Sequence, residues 1–264
     1  MDLKLADKKA FISGSTAGIG YAIAERFLKE GAEVIINGRS QESVDAAVQT
    51  LKSSTGNDKV SGVAADFSKV AEVNQLLEAI PEVDILINNA GIFEPKAFTE
   101  IPDEDWFRFF EINVMSGVRL ARHYFPKMLE KNWGRIIFIS SESGVFIPDE
   151  MIHYGMTKTA QISVSRGLAE LTKGTNVTVN TILPGPTKSR GVGDFIEDLA
   201  NSNNSSVEGV EKEFFKTMRP TSLIQRFASV EEVADTVVYF SSPLASATNG
   251  AAIRAEGGLV KSIL

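Results

Sequence analysis

Short apolar runs alternate with amphipathic stretches from one end of the chain to the other. The runs KAFISG (9–14), EVIING (33–38), VSGVAAD (60–66), VDILINNAG (83–91), GRIIFISS (134–141) and NVTVNTILPG (176–185) read as strands. Several are apolar at consecutive positions rather than at every second one, the pattern of parallel strands covered on both faces. A further short strand is expected near GAAIRA (250–255). Between the strands the apolar residues recur at helical spacing. Ile19, Ala22, Ile23 and Phe27 share a face over 19–30, and Gly31 is placed to end that helix. Further helices are predicted over 41–53, 69–80, 103–131, 153–173 and 229–241. Strand–helix alternation throughout predicts an α/β fold, a single domain built on a doubly wound parallel sheet with right-handed crossovers. Only about 186–222, with its polar tract NSNNSS (201–206), breaks the rhythm. A stretch of that length is expected to be a mobile substrate-loop insertion.

Composition narrows the function. The 264 residues show no composition shift and no internal repeat that would mark a second domain. The net charge is −7 and the basic residues are scattered, which argues against nucleic acid or a membrane surface as partner. With no cysteine, disulfides, thiolate metal sites and cysteine nucleophiles are excluded together. His123 and His153 stand apart without ligand spacing, so no metal site is expected. The start, MDLKLADKKAFISG, has no apolar run before a cleavage site, and no stretch approaches the roughly 18 apolar residues of a membrane span. A cytoplasmic location is the expectation.

The first strand runs into SGSTAGIG (13–20), which sets Gly14, Gly18 and Gly20 at a strand-to-helix turn, with Ser15, Thr16 and Ile19 among them. Glycines there let backbone N–H groups approach a pyrophosphate, and the helix start adds its positive end. The spacing alone would also suit an ordinary tight loop; the position after the first strand favours a dinucleotide. The second strand ends in INGRS, about twenty residues on, where an acid would bind the ribose 2′-hydroxyl of NAD. Gly38 stands there instead, followed by Arg39, whose planar fork suits a 2′-phosphate. NADP(H) is therefore the expected cofactor, with NAD(H) possible.

Tyr154 and Lys158 lie four positions apart, one helical turn. A lysine ammonium there would favour the phenolate and bring a group that titrates near 10 into the range of a general acid. Taken singly, the pair could decorate a helix surface. Ser140, Ser141 and Ser143 could equally be strand-end hydrogen bonders, and Asn113 a helix amide facing water.

Taken together, SGSTAGIG (13–20), NNAG (88–91), Asn113 in EINVMSG, Ser141 in IFISSESG, YGMTK (154–158) and PG (184–185) resemble the short-chain dehydrogenase/reductase family in order and spacing, from about residue 5 to residue 258. Thirteen positions separate Ser141 from Tyr154. The resemblance implies a Rossmann-type sheet of about seven strands, an NAD(P) cofactor, and hydride transfer between nicotinamide and a small or medium carbonyl or alcohol. It implies Ser141, Tyr154 and Lys158 as a catalytic triad with Asn113 as fourth member, Asn113 positioning a relay water and Lys158 reaching the cofactor ribose. It places Asp66 and its neighbour Phe67 at the adenine, Asn89, Ala90 and Gly91 along the cleft, and Pro184, Gly185, Thr187 and Ser189 towards the carboxamide. Ser189 replaces a threonine common there, and AEGG (255–258) stands where DGG is common. Substrate contacts are expected from Ser141, Ser143, Phe146, Met151 and Tyr154, with Asp149 or Glu150 as polar candidates. Trp106, Phe107, Phe109 and Phe110 are expected in the core or a subunit contact, and helices 103–131 and 153–173 are expected to pair subunits in a homodimer or homotetramer. A catalytically idle dinucleotide-binding sensor or scaffold of the same fold is the alternative.

Overall fold

The computed structural model describes residues 2–189, 192–193, 196–197, 200, 202 and 205–263. Seven strands form one sheet: β1 (Lys9–Ile12), β2 (Glu33–Gly38), β3 (Val60–Ala64), β4 (Ile85–Asn88), β5 (Gly134–Ile139), β6 (Val177–Pro184) and β7 (Ala252–Ala255). Their order is β3-β2-β1-β4-β5-β6-β7, every pair parallel. The chain starts at the middle, winds out to β3, and returns to β4 beside β1. Between β1 and β4 the winding reverses, and the strand ends there open a crevice.

The apolar runs are consecutive because each strand serves two cores. Ala10 and Ile12 enter one cluster with Ile85, Ile87, Ile137 and Ile139; Phe11, Leu86, Ile136 and Phe138 point the other way. The helices covering these faces are α1 (Gly18–Lys29), α2 (Gln41–Thr55), α3 (Val70–Ala79), α4 (Asp103–Phe110), α5 (Ser116–Glu130), α6 (Ile152–Glu170), α7 (Val207–Thr217) and α8 (Val230–Phe240). Ile23 and Phe27 of α1 share the first core with Val233 and Val237 of α8. Leu120 and Tyr124 of α5 fill the second. Local signals set the ends. Ser40 accepts the Ser43 N–H at the start of α2, and left-handed Gly56 ends it. Ser229 and Glu232 form a capping box at the start of α8. Gly31, at φ 84°, follows α1 as expected.

Two expectations are corrected. The helix predicted over 103–131 is interrupted by a π-helical turn, Glu111–Met115, which divides it into α4 and α5 and contains Asn113. The apolar period runs through this turn without a break, so the pattern did not show it. The 186–222 stretch is not irregular throughout: it holds α7, and Val210 and Phe215 pack with Ile196, Ala200 and Phe227 in a separate small core. The mobility expected of it falls in part on residues outside those described.

One buried amide ties three strands to the first turn. Asn37 accepts the Gly14 N–H at 3.0 Å and donates to the carbonyls of Val63 (3.1 Å) and Ala65 (3.3 Å). Its own N–H reaches Ser15 Oγ at 2.9 Å. Truncation to Asn37→Ala keeps the main-chain bond to Ser15 but strands the Gly14 N–H and the Val63 and Ala65 carbonyls in a dry interior. It should lower unfolding free energy by about 1–3 kcal/mol, read as a lower urea midpoint with an unchanged m value.

Candidate active site

The crevice begins where β1 turns. Gly14 and Gly18 have φ of 61° and 59°, in the left-handed region that favours glycine. The turn is clamped to the strand across the crevice. Ser13 Oγ accepts the N–H groups of Asn89 (2.9 Å) and Ala90 (3.0 Å). Asn89 Nδ2 donates to the carbonyls of Ser13 (3.0 Å) and Gly14 (2.8 Å). A methyl group on Gly20 would sit 2.5 Å from both Asn89 Nδ2 and the Gly14 carbonyl. Helix α1 has neither a side-chain cap at Ala17 nor an acid in its first turn. Its leading N–H groups therefore face the crevice end as a cradle for an anion, and the residues present fit a dinucleotide phosphate. Ile19 packs against the first core, and the Ser15 hydroxyl is used inside the fold, donating to Ile12 O at 2.6 Å.

Further along the rim, the missing acid at Gly38 has a physical reason: a Cβ there would meet the Thr16 methyl at 2.5 Å. Arg39 beside it is exposed. Asp66 lies near enough to Arg39 for charge interaction. Burial pushes its carboxyl up, but hydrogen bonds from Ser68 and the charges of Lys69 and Arg39 hold it below its ordinary value. Phe67 is buried in the second core, which leaves only its backbone for a ligand. Opposite, Gly185 passes Glu256 with no room for a side chain, since a Cβ would lie 2.7 Å from Glu256 Cα. Thr187 donates to the Gly185 carbonyl at 2.9 Å, and Ser189 reaches the Gly18 turn. The segment from Pro184 to Ser189 thus forms the second wall.

The proton-handling groups meet at the crevice floor. Ser141 follows β5 and caps the 3-10 turn Glu142–Gly144; its hydroxyl donates to Glu142 and accepts the Ser143 N–H at 3.1 Å. Tyr154 and Lys158 project from α6 with the ammonium 5.5 Å from the phenol ring centre. Lys158 Nζ donates to Ile139 O (2.9 Å) and Gln161 Oε1 (3.1 Å), and Gln161 Nε2 donates to the Asn113 carbonyl at 2.6 Å. Asn113 Nδ2 bonds Thr157 Oγ1 at 3.0 Å, while its Oδ1 accepts the Ile92 N–H at 2.8 Å. A Cβ on Gly91 would lie 3.4 Å from Asn113 Oδ1 and 3.5 Å from Lys158 Nζ, so the cleft glycine opens onto this group. Ser140 is separate, its hydroxyl bonded to the Lys158 carbonyl at 2.8 Å.

Residues 8–200 match the family described as short chain dehydrogenase. The chain belongs to this family. Among relatives of the dehydrogenase, a Bacillus subtilis (strain 168) protein named uncharacterized oxidoreductase YvrD is 52% identical over 266 residues, covering 100% of both chains. A D-beta-hydroxybutyrate dehydrogenase of Cupriavidus necator is 31% identical over 260 residues, covering 97% of this chain and 99% of that one. L-sorbose reductase from Gluconobacter frateurii, solved with NADPH and L-sorbose, superposes with a TM-score of 0.91 at 33% identity and covers 100% of both chains. The dehydrogenase is thus an NAD(P)-dependent oxidoreductase that binds a nicotinamide dinucleotide.

The electrostatics of the dehydrogenase depart from the sequence expectation at one point. Burial pushes the Tyr154 phenol above its ordinary value, the Glu142 carboxylate pushes it further, and only the Ser141 hydrogen bond opposes them. The net direction is upward although the Lys158 ammonium stands 5.5 Å from the ring centre, its hydrogen bonds going to Ile139 O and Gln161 Oε1. Burial lowers Lys158 itself to about 8 against the pull of Glu142. The Asn113 carbonyl accepts from the Gln161 amide, which leaves its second lone pair for a relay water.

Of the expected substrate contacts, Ser141, Ser143 and Tyr154 gather at the floor. Phe146 is exposed on the rim, and Met151 caps α6. The aromatic group of α4 divides, with Phe109 buried and Phe107 74% exposed. Three residues carry weight that sequence reasoning did not assign. Glu142 is not among the expected site residues. Gln161 and Arg219 went unmentioned. The available signal was a charge placed directly after an apolar strand, in IFISSE.

His153, on α6, is a packing residue. It is 0% exposed, its ring centre lies 4.1 Å from that of Phe109, and both ring nitrogens lack partners. Burial lowers its pKa. Both folded and unfolded chains hold it neutral above its ordinary value of about 6.5; as pH falls below that, the unfolded chain takes the proton first and stability is lost. In His153→Phe the fall in urea midpoint between about pH 7.5 and pH 5 should be shallower than in wild type, because this loss is removed.

Proposed function

We propose that this short-chain dehydrogenase reduces small or medium ketones or aldehydes with NADP(H) as its preferred cofactor, NAD(H) remaining usable, and with Tyr154 as general acid. The observation that carries the reading is the convergence of Ser141, Tyr154, Lys158 and Asn113 from three separate elements onto the floor of a phosphate-cradled crevice. A binder without turnover has no use for a half-buried phenol and a buried amine joined to a bonded amide chain.

The Gly14–Gly20 turn would hold the pyrophosphate, Arg39 the 2′-phosphate, and Asp66 with the Phe67 backbone the adenine side. Asn89, Ala90 and Gly91 would line the middle, and Pro184, Gly185, Thr187 and Ser189 the nicotinamide side. When bound, the cofactor supplies the hydride that goes to the carbonyl carbon. The Ser141 hydroxyl donates a hydrogen bond to the carbonyl oxygen and holds it against Tyr154. Tyr154 gives its proton to that oxygen as negative charge develops there. A phenol held above its ordinary value stays protonated across the working range, which suits reduction. Lys158, at about 8, gains and loses a proton near neutrality and can restore the tyrosine's.

On this reading the chain is a single catalytic domain with 186–222 as its substrate loop. Among the described residues no helix is long and apolar enough to cross a membrane, and we read the enzyme as cytoplasmic. Val118 and Phe125 of α5 with Val164 and Leu168 of α6 line an apolar surface depression that would pair subunits in a homodimer or homotetramer.

Tyr154→Phe should lower kcat by roughly two to four orders of magnitude while the cofactor Kd holds; near-normal turnover would remove Tyr154 from the reaction. Arg39→Ala should weaken NADPH binding by about ten- to a hundredfold and leave NADH unchanged in titration calorimetry. Equal affinity of the wild type for both cofactors would contradict the NADP(H) preference.

A further inference from the structure

Glu142 is 5% exposed and lies against the catalytic serine. One carboxylate oxygen accepts the Ser141 hydroxyl hydrogen, and the other stands 3.8 Å from Arg219 Nε. Arg219, 8% exposed, comes from the segment just past α7 and donates from Nη2 to Glu150 at 3.1 Å. Charge and polarity reach Glu142 from three further sources: Ser143 on its own turn, and Tyr154 and Lys158 on α6. Two carboxylates therefore face one guanidinium, and the guanidinium is closer to Glu150. Glu142 is the less compensated of the two, in the drier place.

A serine hydroxyl has a single hydrogen. Ser141 Oγ already accepts the Ser143 N–H. While its hydrogen goes to an ionised Glu142, none is left for a substrate oxygen. With Glu142 protonated, the acid donates to Ser141 Oγ and the serine hydrogen turns outward to the substrate.

We infer that Glu142 is a positioning residue whose neutral form directs the Ser141 hydroxyl hydrogen onto the carbonyl being reduced, so that reduction proceeds only on molecules in which Glu142 carries its proton. This rests on the reading of Ser141 and Tyr154 given above. Burial pushes the Glu142 carboxyl up and outweighs the lowering from Ser141, Arg219 and Ser143, which makes the neutral form accessible. As pH rises through the Glu142 titration, kcat for reduction falls.

The test follows kcat against pH with NADPH and diacetyl or L-sorbose as probe ketones, alongside an infrared titration of the carboxylic acid C=O band in the enzyme without substrate. Wild type should lose about tenfold in kcat per pH unit above the Glu142 titration, and its C=O band should vanish over the same range. Glu142→Gln, whose amide donates to Ser141 at every pH, should lack both the band and that limb. Arg219→Gln removes a cation that favours the ionised form, so limb and band should move together to higher pH. An unchanged limb in Glu142→Gln, or no Glu142-dependent band in wild type, overturns the inference. Normal turnover in Tyr154→Phe overturns the parent reading instead, and the infrared titration still decides on Glu142.

Discussion

The close approach of two backbones at the sheet's reversal point governs the rest of the site. The turn after β1 and the Asn89–Ala90 segment after β4 approach so closely that a Cβ on Gly14 would lie 3.0 Å from Ala90 Cα. At that range every polar group between them has to be paired within the protein, and Ser13 and the Asn89 side chain do this. The result is a rigid seam whose outer edge is a row of helix-start N–H groups and whose inner edge is Gly91, open to Asn113 and Lys158. The helix-start N–H groups and the Asn113–Lys158 cluster share that seam, so their relative placement depends little on loops.

Burial decides the electrostatics at the floor. Four groups that could carry charge, Glu142, Tyr154, Lys158 and Arg219, meet there with little access to water. Three of them shift towards their neutral forms, Glu142 and Tyr154 upward and Lys158 downward. Glu142 and Tyr154 thereby hold their protons more tightly, while Lys158 gives its proton up more readily. The arrangement also shows that one-turn spacing alone does not set the direction of the Tyr154 shift. Tyr154 and Lys158 sit one turn apart on α6, but the ammonium satisfies itself on Ile139 and Gln161.

Much of this was legible in the sequence. Consecutive apolar positions in VDILINN and GRIIFISS require two covered faces, which fixes a parallel sheet, and six of its strands could be bounded within a few residues. Ser141, Tyr154, Lys158 and Asn113 could be named as candidates because they stand in the order and spacing of the family they resemble, Ser141 after β5 and Tyr154 and Lys158 one turn apart on α6. What stayed hidden was long-range or geometric. The π turn at Asn113 leaves the apolar period intact. The meeting of Arg219 with Glu142, 77 positions apart, depends on how α7 packs, through Val210 and Phe215, on Phe227. The upward shift of Tyr154 depends on burial, which no spacing reports.

The small core beneath α7 gives Arg219 a structural consequence beyond its charge. Its guanidinium lies over the Phe214 ring, with 5.8 Å between them, and its Nη1 donates to the Met218 carbonyl at 2.9 Å. One side chain therefore ties the end of α7 to Glu150 before α6 and to Glu142 after β5. A buried cation between two carboxylates is stable only while both remain within reach, because separation would leave charge unpaired away from water. The end of α7 and the acid beside Ser141 are thus held by the same contact. A substrate that displaces α7 would change the charge surrounding Glu142, and through it the direction of the serine hydrogen.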